Sequence, residues 1–170
     1  MSSFPIITVL TLVPLIGAAV LVGLDHNQKT LARRLALAFS LVPLVLMGML
    51  WQGFDPALTE MQFCERHEWI PTLGIDYSVG IDGLGLLMVV LTTLLVPLSI
   101  LAAWRIEEKV PVYFALVLAL QAGLFGTFTA LNFFHWFIFW ELSLVPAFFL
   151  IKLWGGPKRG PAATQFFIYT

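Results

Sequence analysis

The chain has 170 residues, 59% of them apolar and only 11% charged, with a net charge of −1 and a mean hydropathy of +0.92. Soluble domains hold roughly 45–50% apolar and about 25% charged residues, so composition argues against a soluble fold, and the scattered Lys and Arg argue against nucleic acid as a partner. The single Cys64 can form no internal disulfide or Cys-rich cluster, and His26, His67 and His135 lack ligand spacing, so no metal and no cofactor is expected on this chain.

Residues 4–23 form an uncharged apolar run of about the 20 residues needed to cross a bilayer, with no basic segment ahead of it as a secretory signal would require. Further uncharged stretches cover residues 35–51, 84–104, 112–131 and 133–154, and residues 162–170 read as the start of another. The sequence therefore predicts an all-α polytopic membrane protein. It has five spans plus the beginning of a sixth, in one incomplete transmembrane domain over residues 1–170.

Basic residues resist translocation to the outer side. Lys29, Arg33 and Arg34 lie in the first connection, Arg105 and Lys109 in the third, and Lys158 and Arg159 after the fifth span, whereas the alternate connections hold only Arg66. That asymmetry places the N-terminus outside. The long connection, residues 52–80, is then external; it is acidic, reads as a solvated cap, and its segment 69–83 can fold as a small hairpin. The glycines Gly80, Gly83 and Gly85 do not have the spacing of a dinucleotide fingerprint.

Trp51, Trp104, Trp136 and Trp154 fall near span ends, where indole rings favour the headgroup region. Pro14, Pro43, Pro97 and Pro146 sit inside spans, which membrane helices tolerate when neighbours or waters satisfy the freed carbonyls. Asp82 is placed to cap the third span, and Asn132 supplies turn chemistry between the fourth and fifth.

One acid lies deep in a span. Glu141 is about eight residues into a run of 22 and so within a few ångström of the midplane. A charge there is unfavourable by about 3 kcal/mol on insertion scales, and intramembrane acids mark ion pathways by default. The competing reading is a neutral packing residue hydrogen-bonded to another helix. Its own-helix neighbours Phe137, Ile138, Leu144 and Val145 are apolar, so its partner lies elsewhere. The polar candidates in this sequence are Gln121, Thr92, Thr93 and Ser99, none of which neutralises a carboxylate. A basic partner would lie beyond Thr170. Burial raises a carboxyl pKa and a nearby Lys⁺ lowers it, so a movable Lys would make Glu141 take and release a proton. Lys152, three turns on, reads as an interfacial anchor or a relay. His135, near the outer end of the span and on a different face, reads as an interfacial group or a relay.

The segments FWELSLVPAFFLIKLWGG (139–156), Lys158, Arg159 and AATQFFIYT (162–170), with WIPTLGIDYSVGIDGLG (69–85), resemble the antiporter-like chain M, or chain 4, of proton-pumping NADH:quinone oxidoreductase. The resemblance implies an N-terminal fragment of an antiporter-like inverted-repeat fold of about fourteen spans. In that fold Glu141 holds the position of an essential membrane glutamate facing a Lys on a later helix. It also implies a translocase subunit with no redox site of its own. NADH, FMN, iron–sulfur clusters and quinone would be carried by partner subunits in a complex of the bacterial inner membrane. Gln165 departs from the family's pattern, where a Lys is expected, and Gly85 stands where a Ser is usual. Subunits of multisubunit cation/proton antiporters, membrane-bound hydrogenases and the ferredoxin-dependent photosynthetic relative are similar, and a structural scaffold is the remaining alternative.

Overall fold

The computed structural model describes residues 4–170. Helices α1 (Ile6–Val22), α2 (Lys29–Gly53), α3 (Gly83–Ala102), α4 (Val110–Thr129), α5 (Phe133–Trp154) and α6 (Arg159–Tyr169) form a bundle, with strands β1 (Gln62–Ile70) and β2 (Ile75–Ile81) between α2 and α3. Four of these helices, α2 to α5, are long and apolar enough to cross a membrane; α1, at 17 residues, is a shorter apolar helix. Length and composition thus support a multi-pass membrane protein.

Helix α4 is the central element. It packs against α1, α2, α3 and α5, and its buried residues lie on every side, from Phe114 and Leu118 to Gly123 and Gly126. It carries no charge over its 20 residues, as expected for a helix with no solvated or lipid-only face. Helix α5 differs: only His135, Ser143 and Pro146 are buried, because it touches the rest of the bundle mainly through α4 and α6.

The polar connections sort to two ends. At one, Lys29 Nζ and Arg33 Nη2 reach the Glu107 carboxylate at 2.8 and 2.7 Å, and the Trp154 indole N–H donates to the Glu108 carbonyl at 3.1 Å. Helix α2 starts at Lys29, six residues before the apolar run, because these pairs and the straight side chains of Lys and Arg extend the helix beyond its apolar part. At the other end sit the hairpin, the start of α1 and the α4–α5 junction, where Leu131 N donates to Ser78 O at 3.0 Å.

The hairpin is longer than the sequence predicts. Its first strand begins at Gln62, and it turns at residues 71–74, where Gly74 adopts φ 64°, a left-handed conformation that suits glycine. Antiparallel register pairs Glu65 with Val79 and His67 with Tyr77. Nor is it only a solvated cap. Val79 and Ile81 are buried in a cluster with Ile7, Leu10 and Phe125, so the inner face of β2 belongs to the core.

Candidate functional site

Local chemistry sets the register of α5. The Asn132 side-chain oxygen accepts from His135 N at 2.8 Å, capping the helix, while its amide donates to the Asp76 carbonyl at 2.7 Å. One residue thus ends the α4–α5 turn, starts α5 and ties it to the hairpin. Asp82 likewise caps α3, accepting from Gly85 N at 2.6 Å. A Cβ at Gly85 would come within 3.1 Å of the Phe128 carbonyl, so glycine leaves room here for the close approach of α3 to α4.

Along α5, Ser143 and Phe139 fix the side that meets α4. A Cβ on Gly123 would lie 2.8 Å from the Ser143 backbone nitrogen, and one on Gly126 would overlap the Phe139 ring. Glu141 is two residues from each, about 200° round the helix at 3.6 residues per turn. It therefore faces away from α4. The sequence places this acid in a buried setting; in the described chain it is half-buried, because α4 lies on the opposite side of α5 and α6 meets α5 two turns further on, at Phe148. Glu141 has no hydrogen-bond or ion-pair partner among the described residues.

The polar groups that the sequence offers as partners are engaged or directed elsewhere. Thr92, Thr93 and Ser99 donate to the Met88, Val90 and Leu95 carbonyls of their own helix. Gln121 is fully buried, and neither amide atom has a partner among the described residues. It lies about 140° and 200° round α4 from Gly126 and Gly123, hence on the side opposite α5. Lys152 is exposed, with Nζ 5.2 Å from the Phe148 ring centroid; eleven residues, about 16 Å of rise, separate it from Glu141. Gln165 is exposed on α6.

His135 is buried, 3% exposed, with Nε2 unpartnered. Its ring stacks on Phe139 with centroids 4.6 Å apart and meets Tyr77 edge-on at 5.0 Å. It lines a cleft of about 580 Å³ together with Thr8, Trp69, Tyr77, Ile138 and Phe139. Glu141 is six residues further along and on another face, so the two do not meet directly.

Below the hairpin lies an acid that sequence reasoning passed over. Glu65 is 8% exposed, the one buried acidic side chain among the described residues. Its oxygens accept from Ile7 N at 2.7 Å and Thr8 N at 3.2 Å, at the N-terminus of α1, and from the Thr8 hydroxyl. The first-turn N–H groups of a helix have no intrahelical acceptor, and the helix dipole favours an anion there, so Glu65 caps α1 from 58 positions away. The Thr8 hydroxyl spends its hydrogen on Glu65; the phenol of Tyr77, 2.7 Å away, must then donate to Thr8. Burial raises the Tyr77 pKa above its ordinary value, and the Glu65 charge adds to the rise. A signal for Glu65 existed in strand alternation, because it shares a face with its buried partner Val79. Reading it required β1 to start at Gln62.

These elements define a helical multi-pass membrane protein whose fifth helix carries an acid with no partner among the described residues. No protein-family profile matches the chain. It is 42% identical over 167 residues to the F(420)H(2) dehydrogenase subunit M of Methanosarcina mazei, covering 98% of this chain and 33% of that protein. It is 39% identical over 169 residues to the NADH-quinone oxidoreductase subunit M of Rhodobacter capsulatus, covering 97% and 33%. With the NAD(P)H-quinone oxidoreductase chain 4 2 of Thermosynechococcus vestitus it shares 38% over 168 residues, covering 98% and 32%. The fold matches a chain of respiratory complex I from Thermus thermophilus with bound NADH, with a TM-score of 0.79 and 25% identity over 96% of this chain and 32% of that one. Over nearly its whole length the chain is thus similar to subunit M, or chain 4, proteins of these complexes, and it spans about a third of the length of those relatives.

Proposed function

We propose that the chain is the N-terminal part of a proton-translocating membrane subunit of an NADH:quinone oxidoreductase-type complex, and that Glu141 takes and releases the proton. The observation that carries this reading is Glu141 itself, an ionisable group unpaired on α5 and facing away from α4. A carboxyl group within a span needs a partner, and the exposed side of α5 is where later helices of a longer chain would supply a basic one. In this reading α1 to α5 are five spans, α6 begins a sixth, and the N-terminus is outside; gathering of the basic connections at one end of the bundle supports that orientation. His135, Lys152 and Gln121 are candidate relays. His135 is favoured by its buried, unpartnered ring nitrogen.

Redox chemistry belongs to partner subunits, which would hold NADH, FMN, iron–sulfur clusters and quinone in a bacterial plasma membrane. The similarity to an F(420)H(2) dehydrogenase subunit supports a second reading that differs only in the electron donor, since the donor would bind elsewhere in the complex.

The test is Glu141→Gln in the full-length subunit within its complex. Gln keeps the shape and can hydrogen-bond but carries no proton. Donor-driven acidification of inverted vesicles and quinone-linked turnover are expected to collapse, while electron transfer to an artificial acceptor persists. If all three activities survive, Glu141 is a packing residue.

A further inference from the structure

The buried interior of the bundle is divided. Leu21, Ala36, Ile100 and Leu118 belong to one apolar cluster, and Leu10, Leu50, Val89 and Phe125 to another. Between them each of α1, α2 and α3 carries a buried Ser or Thr and a buried proline three or four residues on: Thr11 and Pro14, Ser40 and Pro43, Thr93 and Pro97. In this layer α4 contributes Gln121, which is 0% exposed and has both amide atoms unpartnered.

The position of Gln121 opposite α1 follows from the contacts on either side of it. One turn toward the α4 start, Leu118 meets Gly17, where a Cβ would lie 2.8 Å from Leu118 Cδ1. One turn toward the α4 end, Phe125 clusters with Ile7 and Leu10. The helices run antiparallel, so Gln121 falls opposite the turn that contains Pro14. Proline has no N–H, and the Leu10 carbonyl is therefore deprived of its usual bond from four residues ahead. Thr11 cannot repair this gap, because its hydroxyl donates to the Ile7 carbonyl at 3.2 Å. Its oxygen keeps free lone pairs.

An amide donor and an amide acceptor on α4 thus lie at the same level as a freed backbone carbonyl and a hydroxyl oxygen on α1, between two apolar clusters. Polar groups inside a bilayer must be satisfied internally, and buried groups without a protein partner are characteristically satisfied by ordered water making two to four hydrogen bonds. We infer that Gln121 and the Leu10–Pro14 turn hold internal water between α1 and α4. The water oxygen accepts from the Gln121 amide N–H, and its hydrogens go to the Gln121 amide oxygen and the Leu10 carbonyl. This site stands on the side of α4 away from Glu141 and does not depend on the role proposed for that residue.

X-ray hydroxyl-radical footprinting of the full-length subunit in its purified complex tests the inference, because water held in the interior is radiolysed in place and labels the side chains around it. Residues 10–14 are expected to label at least about fivefold more than residues 114–118, which lie in the neighbouring apolar cluster; the greater intrinsic reactivity of Phe114 makes the comparison conservative. Gln121→Leu should bring residues 10–14 down to the level of 114–118, and Glu141→Gln should leave them labelled. Wild-type labelling no higher at 10–14 than at 114–118 overturns the site without any variant. So does labelling that Gln121→Leu leaves unchanged.

Discussion

Two carboxylates of this chain exchange the roles that their sequence settings predict. Glu141 sits in an uninterrupted apolar run and Glu65 in a polar connection, yet Glu65 is the buried one, fastened to Ile7 N, Thr8 N and the Thr8 hydroxyl, while Glu141 is half-buried and unpaired among the described residues. The contrast separates two uses of an acid. A carboxylate that satisfies helix-terminal N–H groups holds structure together, and one left unpaired among the described residues is available for exchange.

The largest expected effect breaks the comparison on the Glu141 side: Glu141→Gln removes most donor-driven acidification, a drop of at least about tenfold of the kind expected when a proton-transfer group is removed, with folding stability unchanged within about 0.5 kcal/mol. On the Glu65 side, Glu65→Ala strips the acceptors from three donors around a buried site and should destabilise the fold by about 3 kcal/mol. The measurement is loss of the hairpin's protease resistance and a lower unfolding midpoint. Equal stability losses in both variants would erase the distinction.

A smaller effect is expected at the α4–α5 contact. Gly123→Ala places a methyl against the Ser143 backbone and should destabilise by about 1–3 kcal/mol, seen as a reduced spacing tolerance in cross-linking between α4 and α5. Tyr77→Phe deletes the donor to Thr8 and should lower stability by about 1 kcal/mol. Tyr77 has a raised folded-state pKa, so its contribution is complete below the ordinary tyrosine range and is lost as pH rises through the raised value. The wild-type hairpin should therefore loosen in strong alkali and the Phe variant should lack that step.

The smallest effect belongs to the exposed Glu107 cluster. Lys29, first, and then Arg33 hold its pKa below the ordinary carboxylate value, so its stabilising contribution is present above that ordinary value and fades as pH falls through the lowered one. Glu107→Gln should remove this acid-side step, and salt should weaken it in the wild type.

Much of the fold was legible because membrane helices announce themselves by length and apolarity. The bounds of α5 coincide with its apolar run, and the caps at Asp82 and Asn132 follow from residue type and position. Helix α2 overran its apolar run because Lys29 and Arg33 find Glu107, a partner 78 and 74 positions away. The hairpin was half-legible: the Pro and Gly turn was visible, but the charged first strand, with Glu65, Arg66 and Glu68, lacks the apolar alternation that marks a buried face. Only its pairing with Val79 reveals that Glu65 turns inward.

The candidate site divides in the same manner. That Glu141 is an isolated acid in a span was decided by the sequence, since hydropathy is a property of neighbours along the chain. Which way it faces was decided by Gly123 and Gly126, whose missing side chains let Ser143 and Phe139 approach α4 and so turn Glu141 outward. Burial, capping over 58 residues and the orphaned amide of Gln121 likewise depend on distant elements meeting. Composition determines that this chain enters a membrane; only the packing of its helices determines which of its polar groups are left without a partner there.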